Sequence, residues 1–157
     1  MTTPVAANIG AQPWLLCRVG ARLCALPLEN VVETMRPLPI EPAPHSAPFV
    51  LGVSLIRGAP VPVLDVGPML DAGAAGRGRL VTVSIAGRLV ALAVDDVLGV
   101  RTVEPGGLSP VPPLLQAAGD MVAALGALDA ELLFFLHAVR IQPEALTLDQ
   151  PEPAAAS

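Results

Sequence analysis

The sequence predicts a mainly β protein assembled from two copies of one small unit. Two observations carry that prediction. Short valine- and leucine-rich runs are cut by glycine or proline about every eight to twelve residues, the punctuation of small barrels and sandwiches rather than of helical bundles. Shifting the chain by 66 residues lays Arg22–Val32 (RLCALPLENVV) over Arg88–Leu98 (RLVALAVDDVL), with Arg, Leu, Ala, Leu and Val identical. That is an internal repeat, and two units of about sixty residues fit the length well.

Composition narrows the function classes. The 157 residues are 53% hydrophobic but only 15% charged and 3% aromatic, so a sizeable core forms without aromatic bulk. A net charge of −5 opposes a phosphate backbone, which argues against nucleic acid as a partner. No long apolar stretch suits a membrane span, and the N-terminus lacks the basic start of a secretory signal, so the expected location is cytoplasmic without membrane insertion. With no lysine, no tyrosine, two histidines and two cysteines, the usual general acids, bases and nucleophiles are scarce. An interaction module rather than an enzyme is the leading class.

The polar, proline-containing ends 1–13 and 142–157 are expected to be flexible, leaving 14–141 as one folded domain with units of about 14–71 and 79–141. The first hairpin runs from Leu15 to Leu28. A two-residue turn at Gly20-Ala21 sets Val19 against Arg22, Cys17 against Cys24 and Leu15 against Leu26, with one face apolar and Arg18 on the other. Pro27–Val32 suits a single helical turn, as does Pro113–Ala118. The five prolines of Arg36–Pro48 make a stiff connector. A second hairpin is expected from Leu80 to Val94, with a turn at Gly87-Arg88 setting Ile85 against Val90, Val83 against Leu92 and Val81 against Val94. Each unit then ends in a strand: Pro60–Val66 after Gly58-Ala59, and Glu131–His137 after Asp129-Ala130. The glycines of Ala72–Gly78 lack the lysine and the strand–helix context of a phosphate loop and read as the connector between units.

Few residues offer chemistry. Cys17 and Cys24 face each other in the expected register, but as a hydrogen-bonded pair in a reducing compartment they suit core thiols better than a disulfide or a metal pair. His45 and His137 stand far from any second ligand. Asp95-Asp96 matches Glu29-Asn30 in the other unit, as a strand-to-turn cap would. Arg57 is the lone charge between Phe49 and Leu64 and is expected half-buried, either bridging a carboxylate such as Asp65 or contacting a partner.

In its segments Cys24–Glu33, Ile40–Pro44, Phe49–Gly52, Arg57-Gly58, Val61–Asp65, Val94–Val100 and Gly126–Asp129, the chain resembles the CheW-like coupling proteins of bacterial chemosensory arrays. The resemblance spans nearly all of Trp14–Leu136, in order. It implies two five-stranded, SH3-like β-barrels around a shared hydrophobic core, with few helical turns. It also implies a non-enzymatic adaptor, without cofactor or metal, linking the cytoplasmic tips of methyl-accepting chemoreceptors to the regulatory domain of the array's histidine kinase. Its partner-binding residues would be Val31, Glu33, Gly52, Arg57, Gly58, Val97 and Val100. Leu55-Ile56, Gly67-Pro68 and the short reach from His137 to Pro143 depart from the family pattern, as an adaptor of a specialised array, such as one for surface motility, would. The rival is a small-ligand-binding or catalytic double barrel, whose pocket between the units needs Arg57, Asp65, Asp95 and Asp96 to converge.

Overall fold

The computed structural model describes residues 12–43, 49–70, 72, 78–104, 108–111 and 122–136. Ten strands follow in order: β1 (Gln12–Val19), β2 (Arg22–Pro27), β3 (Val31–Met35), β4 (Val50–Ile56), β5 (Ala59–Asp65), β6 (Arg79–Ile85), β7 (Arg88–Val94), β8 (Asp96–Val103), β9 (Val122–Leu128) and β10 (Glu131–Leu136). Short helical turns occupy Leu28–Asn30, as expected, and Pro68–Leu70. His45, His137, the Pro113–Ala118 turn, most of the glycine connector and all but the last two residues of the N-terminal tail lie outside the described residues. So does 142–157. β1 starts two residues before the expected Trp14 boundary.

Two five-stranded sheets result, ordered β8-β1-β2-β10-β9 and β3-β6-β7-β5-β4. When the second half is renumbered on the first, both orders become third-first-second-fifth-fourth. In each sheet the first and second strands come from one half of the chain and the other three from the other half. The repeat is thus confirmed in topology, with β2 and β7 in like places. The division into barrels of 14–71 and 79–141 is corrected, because the halves exchange strands. The exchange is physically direct: β3 and β8 each leave a hairpin in one sheet and pair with the first strand of the other, β6 and β1 respectively.

Burial explains why β2 and β7 read as nearly unbroken apolar runs, and why Thr82 of β6 is buried although polar. Each is covered on both faces. Leu15, Cys17, Val19, Cys24 and Leu26 of one sheet meet Val81, Val83, Ile85, Val90, Leu92 and Val94 of the other in a shared central core. The opposite faces fill the hollow of each curled sheet, with Trp14, Leu16, Leu23 and Phe135 in one and Ile56, Val61, Val63 and Leu80 in the other. Trp14 and Phe135 meet edge to face at 4.9 Å.

The first hairpin has the expected register, with Val19 opposite Arg22, Cys17 opposite Cys24 and Leu15 opposite Leu26. Both cysteines are buried free thiols. The second hairpin is corrected by two residues: Ile85 pairs with Arg88, Val83 with Val90 and Val81 with Leu92. Its turn is Ala86-Gly87, with φ of 52° and 81°. A two-residue turn with both centres left-handed matches the twist of the strands, so it wins although alanine dislikes that region. The face assignment survives because a two-residue slip preserves alternation.

Asp95 and the residues around it stitch the sheets together. Its backbone N–H donates to the Arg18 carbonyl at 2.8 Å, and its carboxylate accepts the Gly20 N–H in the β1–β2 turn. In the first half Asn30, the residue that matches Asp96, donates through its amide to the Ser84 carbonyl at 3.1 Å. Asp96 caps the next N–H, that of Val97, at 2.9 Å. The expected capping role of the Asp95-Asp96 step therefore holds, and for Asp95 it reaches across to the other sheet.

Candidate partner-binding surface

β4 and β5 are joined by the two-residue turn Arg57-Gly58, whose φ values of 54° and 82° place both residues in the left-handed region. This turn lifts Arg57 off the sheet, and its side chain is 76% exposed rather than half-buried. The expectation failed because an apolar run was read as continuous burial, whereas β4 alternates: Ile56 is buried and Leu55 is 69% exposed. Nor is Asp65 its partner. Arg57 Nη2 donates to Glu33 Oε1 at 2.6 Å, and Asp65, 5% exposed, accepts the Gly67 N–H at 2.9 Å.

Glu33 lies on β3 and Arg57 at the tip of β4–β5, so the ion pair joins the two edges of one sheet at one end. Two residues attributed to the site by resemblance are therefore partners of each other. That pairing holds the guanidinium charged and in a fixed direction, since the hydrogen bond to Glu33 raises its pKa further.

Two exposed apolar side chains stand near this pair in the chain, Val32 next to Glu33 and Leu55 two residues before Arg57. In β3 a bulge falls at Val32, because Val31 pairs with Val83 but Glu33 pairs with Thr82. The extra residue turns outward, and Val32 is 54% exposed. β8 repeats the device: Cys17 pairs with Val97 and Leu16 with Gly99, leaving Leu98 as the bulged, outward residue. Leu98 and Val100 are both about half exposed. Val31 and Val97, the equivalent residues one step earlier, pack against the central core instead. The sequence reading thus missed Val32 and Leu55; a signal was available in the Val-Val and Val-Leu steps that end the two repeat copies.

Gly52 lies off the exposed surface. It is buried, with a φ of 145°, and a Cβ there would overlap the Glu41 carbonyl. Glycine at 52 lets the Leu38–Glu41 segment cross the sheet, where Glu41 and Val53 exchange two 2.8 Å hydrogen bonds. Gly58, by contrast, opens onto free space at the turn.

Among the described residues the four groups that the rival pocket needs do not converge. Arg57, Asp65, Asp95 and Asp96 are spread over an exposed tip, a buried loop and the sheet junction. A cavity of about 230 Å3 exists within one curled sheet, between β8 and the β9–β10 hairpin, with Arg101 and Glu104 at its rim and Leu128, Leu133 and Phe135 among its walls; none of those four residues lines it. Among the described residues no three His, Cys, Asp or Glu side chains gather as a metal site, and no helix is long and apolar enough to cross a membrane.

The repeat and the two sheets can now be set beside known proteins. Residues 13–145 match the CheW-like domain. The chain belongs to the CheW-like family. It is 36% identical over 115 residues to the protein FrzA of Myxococcus xanthus, covering 71% of this chain and 69% of that one. Against the chemotaxis protein CheW of Rhizobium meliloti it is 31% identical over 108 residues, 67% of this chain and 70% of the other. In fold it is similar to the scaffolding protein TtCheW from Thermoanaerobacter tengcongensis, with a TM-score of 0.72, 22% identity, and coverage of 81% and 89%. Two curled five-stranded sheets of SH3-like form around a shared core are thus the architecture of this CheW-like chain.

Proposed function

We propose that this CheW-like chain is a scaffold that couples chemoreceptors to a chemotaxis-type histidine kinase, acting in the cytoplasm without catalysis. The observation that supports this most is membership of the CheW-like family together with a surface suited to partners rather than to a substrate. The Arg57–Glu33 pair is fixed in direction, stands near the exposed Val32 and Leu55 in the chain, and sits at a glycine turn that permits close approach. An apolar anchor beside an oriented guanidinium fits the flank of a helical hairpin, such as a receptor tip. On this reading Arg57, Gly58 and Val100 contact partners directly, along with Val32, Leu55 and Leu98, which replace Val31 and Val97 as anchors. Gly52 supports the surface from beneath. Glu33 orients Arg57.

The test is co-purification of the tagged chain from its native cell, followed by mass spectrometry. Both a methyl-accepting receptor and a histidine kinase are expected, and both should be lost together from the Arg57→Ala variant. Recovery of neither by the wild-type chain would overturn the reading.

A further inference from the structure

We propose that Asp95 is a positioning residue: its carboxylate, by holding the β1–β2 turn, fixes the register in which β8 enters the opposite sheet and so the bulge that turns Leu98 outward. The functional consequence rests on the coupling reading above; the claim about register does not.

Asp95 is the single residue between β7 and β8, where the chain crosses from one sheet to the other. Four passes of backbone meet there. A Cβ on Gly20 would overlap the Ala72 carbonyl, and a Cβ on Gly78 would overlap the carbonyl of Asp95 itself. Into this crowded junction Asp95 places two bonds to β1 and its turn, through its own N–H to Arg18 and through its carboxylate from Gly20. A carboxylate accepting a backbone N–H in a partly buried place is a charge-assisted bond, stronger than a neutral one.

The bulge follows almost at once. Arg18 pairs with Asp96 and Cys17 with Val97; then the ladder skips Leu98 and resumes at Leu16 and Gly99, whose φ is 126°. Only two rungs separate the pin from the skipped residue. A strand freed at its start relaxes by taking the extra residue into regular pairing, and a one-residue slip turns every following side chain to the other face. Val100, now outward, would then point inward. The first half offers a parallel rather than a copy. There Asn30, which matches Asp96 in the repeat, donates to the Ser84 carbonyl, and the bulge at Val32 follows two residues later instead of three. A polar pin followed by a bulged, exposed aliphatic residue thus occurs twice in one chain.

Two variants test this: Asp95→Ala, which removes the acceptor, and Asp95→Asn, which keeps an oxygen acceptor and removes the charge. Amide hydrogen exchange and cross-strand contacts between β1 and β8 are read by nuclear magnetic resonance, and binding is read against a purified chemoreceptor tip fragment. Asp95→Ala is expected to speed Gly20 amide exchange roughly tenfold or more, to lose the Leu16–Gly99 contact, and to weaken tip binding roughly tenfold, while β6–β7 amides stay protected. Asp95→Asn is expected to keep the register. An unaltered β1–β8 register in Asp95→Ala would overturn the proposal, as would a slipped register in Asp95→Asn. Should Asp95→Ala fail to fold, Asp95→Asn alone decides by the same readout. Weaker tip binding with the register intact would make Asp95 a contact residue and also overturn it. If the wild-type chain ignores the tip, the coupling reading falls while the amide readout still judges the register.

Discussion

Arg57 and Cys24 are opposite extremes of the same fold. The Arg57 guanidinium is solvated and already paired with Glu33, so its removal leaves no buried charge behind. Arg57→Ala is expected to keep the wild-type thermal midpoint while weakening partner binding by roughly tenfold, as anchoring arginines do. A fall in the midpoint alongside unchanged binding would make Arg57 structural. Cys24 lies where solvent never reaches. Hydrogen bonding with Cys17, then burial, pushes its thiol well above the ordinary value of 9.0. A raised thiol pKa means the folded protein keeps a proton that the unfolded chain releases, so this contribution to stability is complete below about pH 9 and is lost as pH rises beyond it. Urea midpoints measured from pH 7 to 10 should therefore fall in the alkaline range, and less steeply for Cys24→Ala. Thiol counting should find two slow groups in the native state and two fast ones in denaturant.

Turns and crossings hold the strain at the level of elements. Asp129-Ala130 joins β9 to β10 with φ values of 50° and 68°, and alanine there sits in a region that costs about 1 kcal/mol or more for a residue with a Cβ. Ala130→Gly is expected to raise stability by about 1 kcal/mol, read from the urea midpoint with an unchanged slope. Gly52→Ala should do the reverse, losing about 2 kcal/mol or more, because both φ and the Glu41 carbonyl oppose it. These cases also explain what was legible in the sequence. The first hairpin could be placed to the residue because Gly20 marks its turn unambiguously. The second could not, since Ala86-Gly87 and Gly87-Arg88 both contain the glycine and the chain chose the pair that puts alanine at positive φ. Arg57 and Glu33 were attributable to one surface by resemblance, yet their bond was not readable, because 24 residues separate them and only the meeting of two sheet edges brings them together. Bulges at Val32 and Leu98 shift faces by one residue, which alternation cannot foresee.

The strand exchange governs the whole molecule. Local signals showed two like units but not who pairs with whom, since β1 would satisfy its edge equally well with β3 or with its equivalent β8. Because each sheet borrows three strands, neither half holds a complete core. Fragments 1–72 and 73–157 are expected to lack cooperative unfolding alone and to regain it when mixed; a sharp, independent transition in either would contradict the exchange. The same interlock sets the timing of synthesis. Leu16 waits for Gly99 and Cys24 for Phe134, so the first hairpin leaves the ribosome long before the strands that cover its edges exist. The second sheet has all its strands only once Val94 is made and the first only once Leu136 is, so for much of its birth the nascent β1–β2 hairpin carries two apolar outer edges with nothing to bond to.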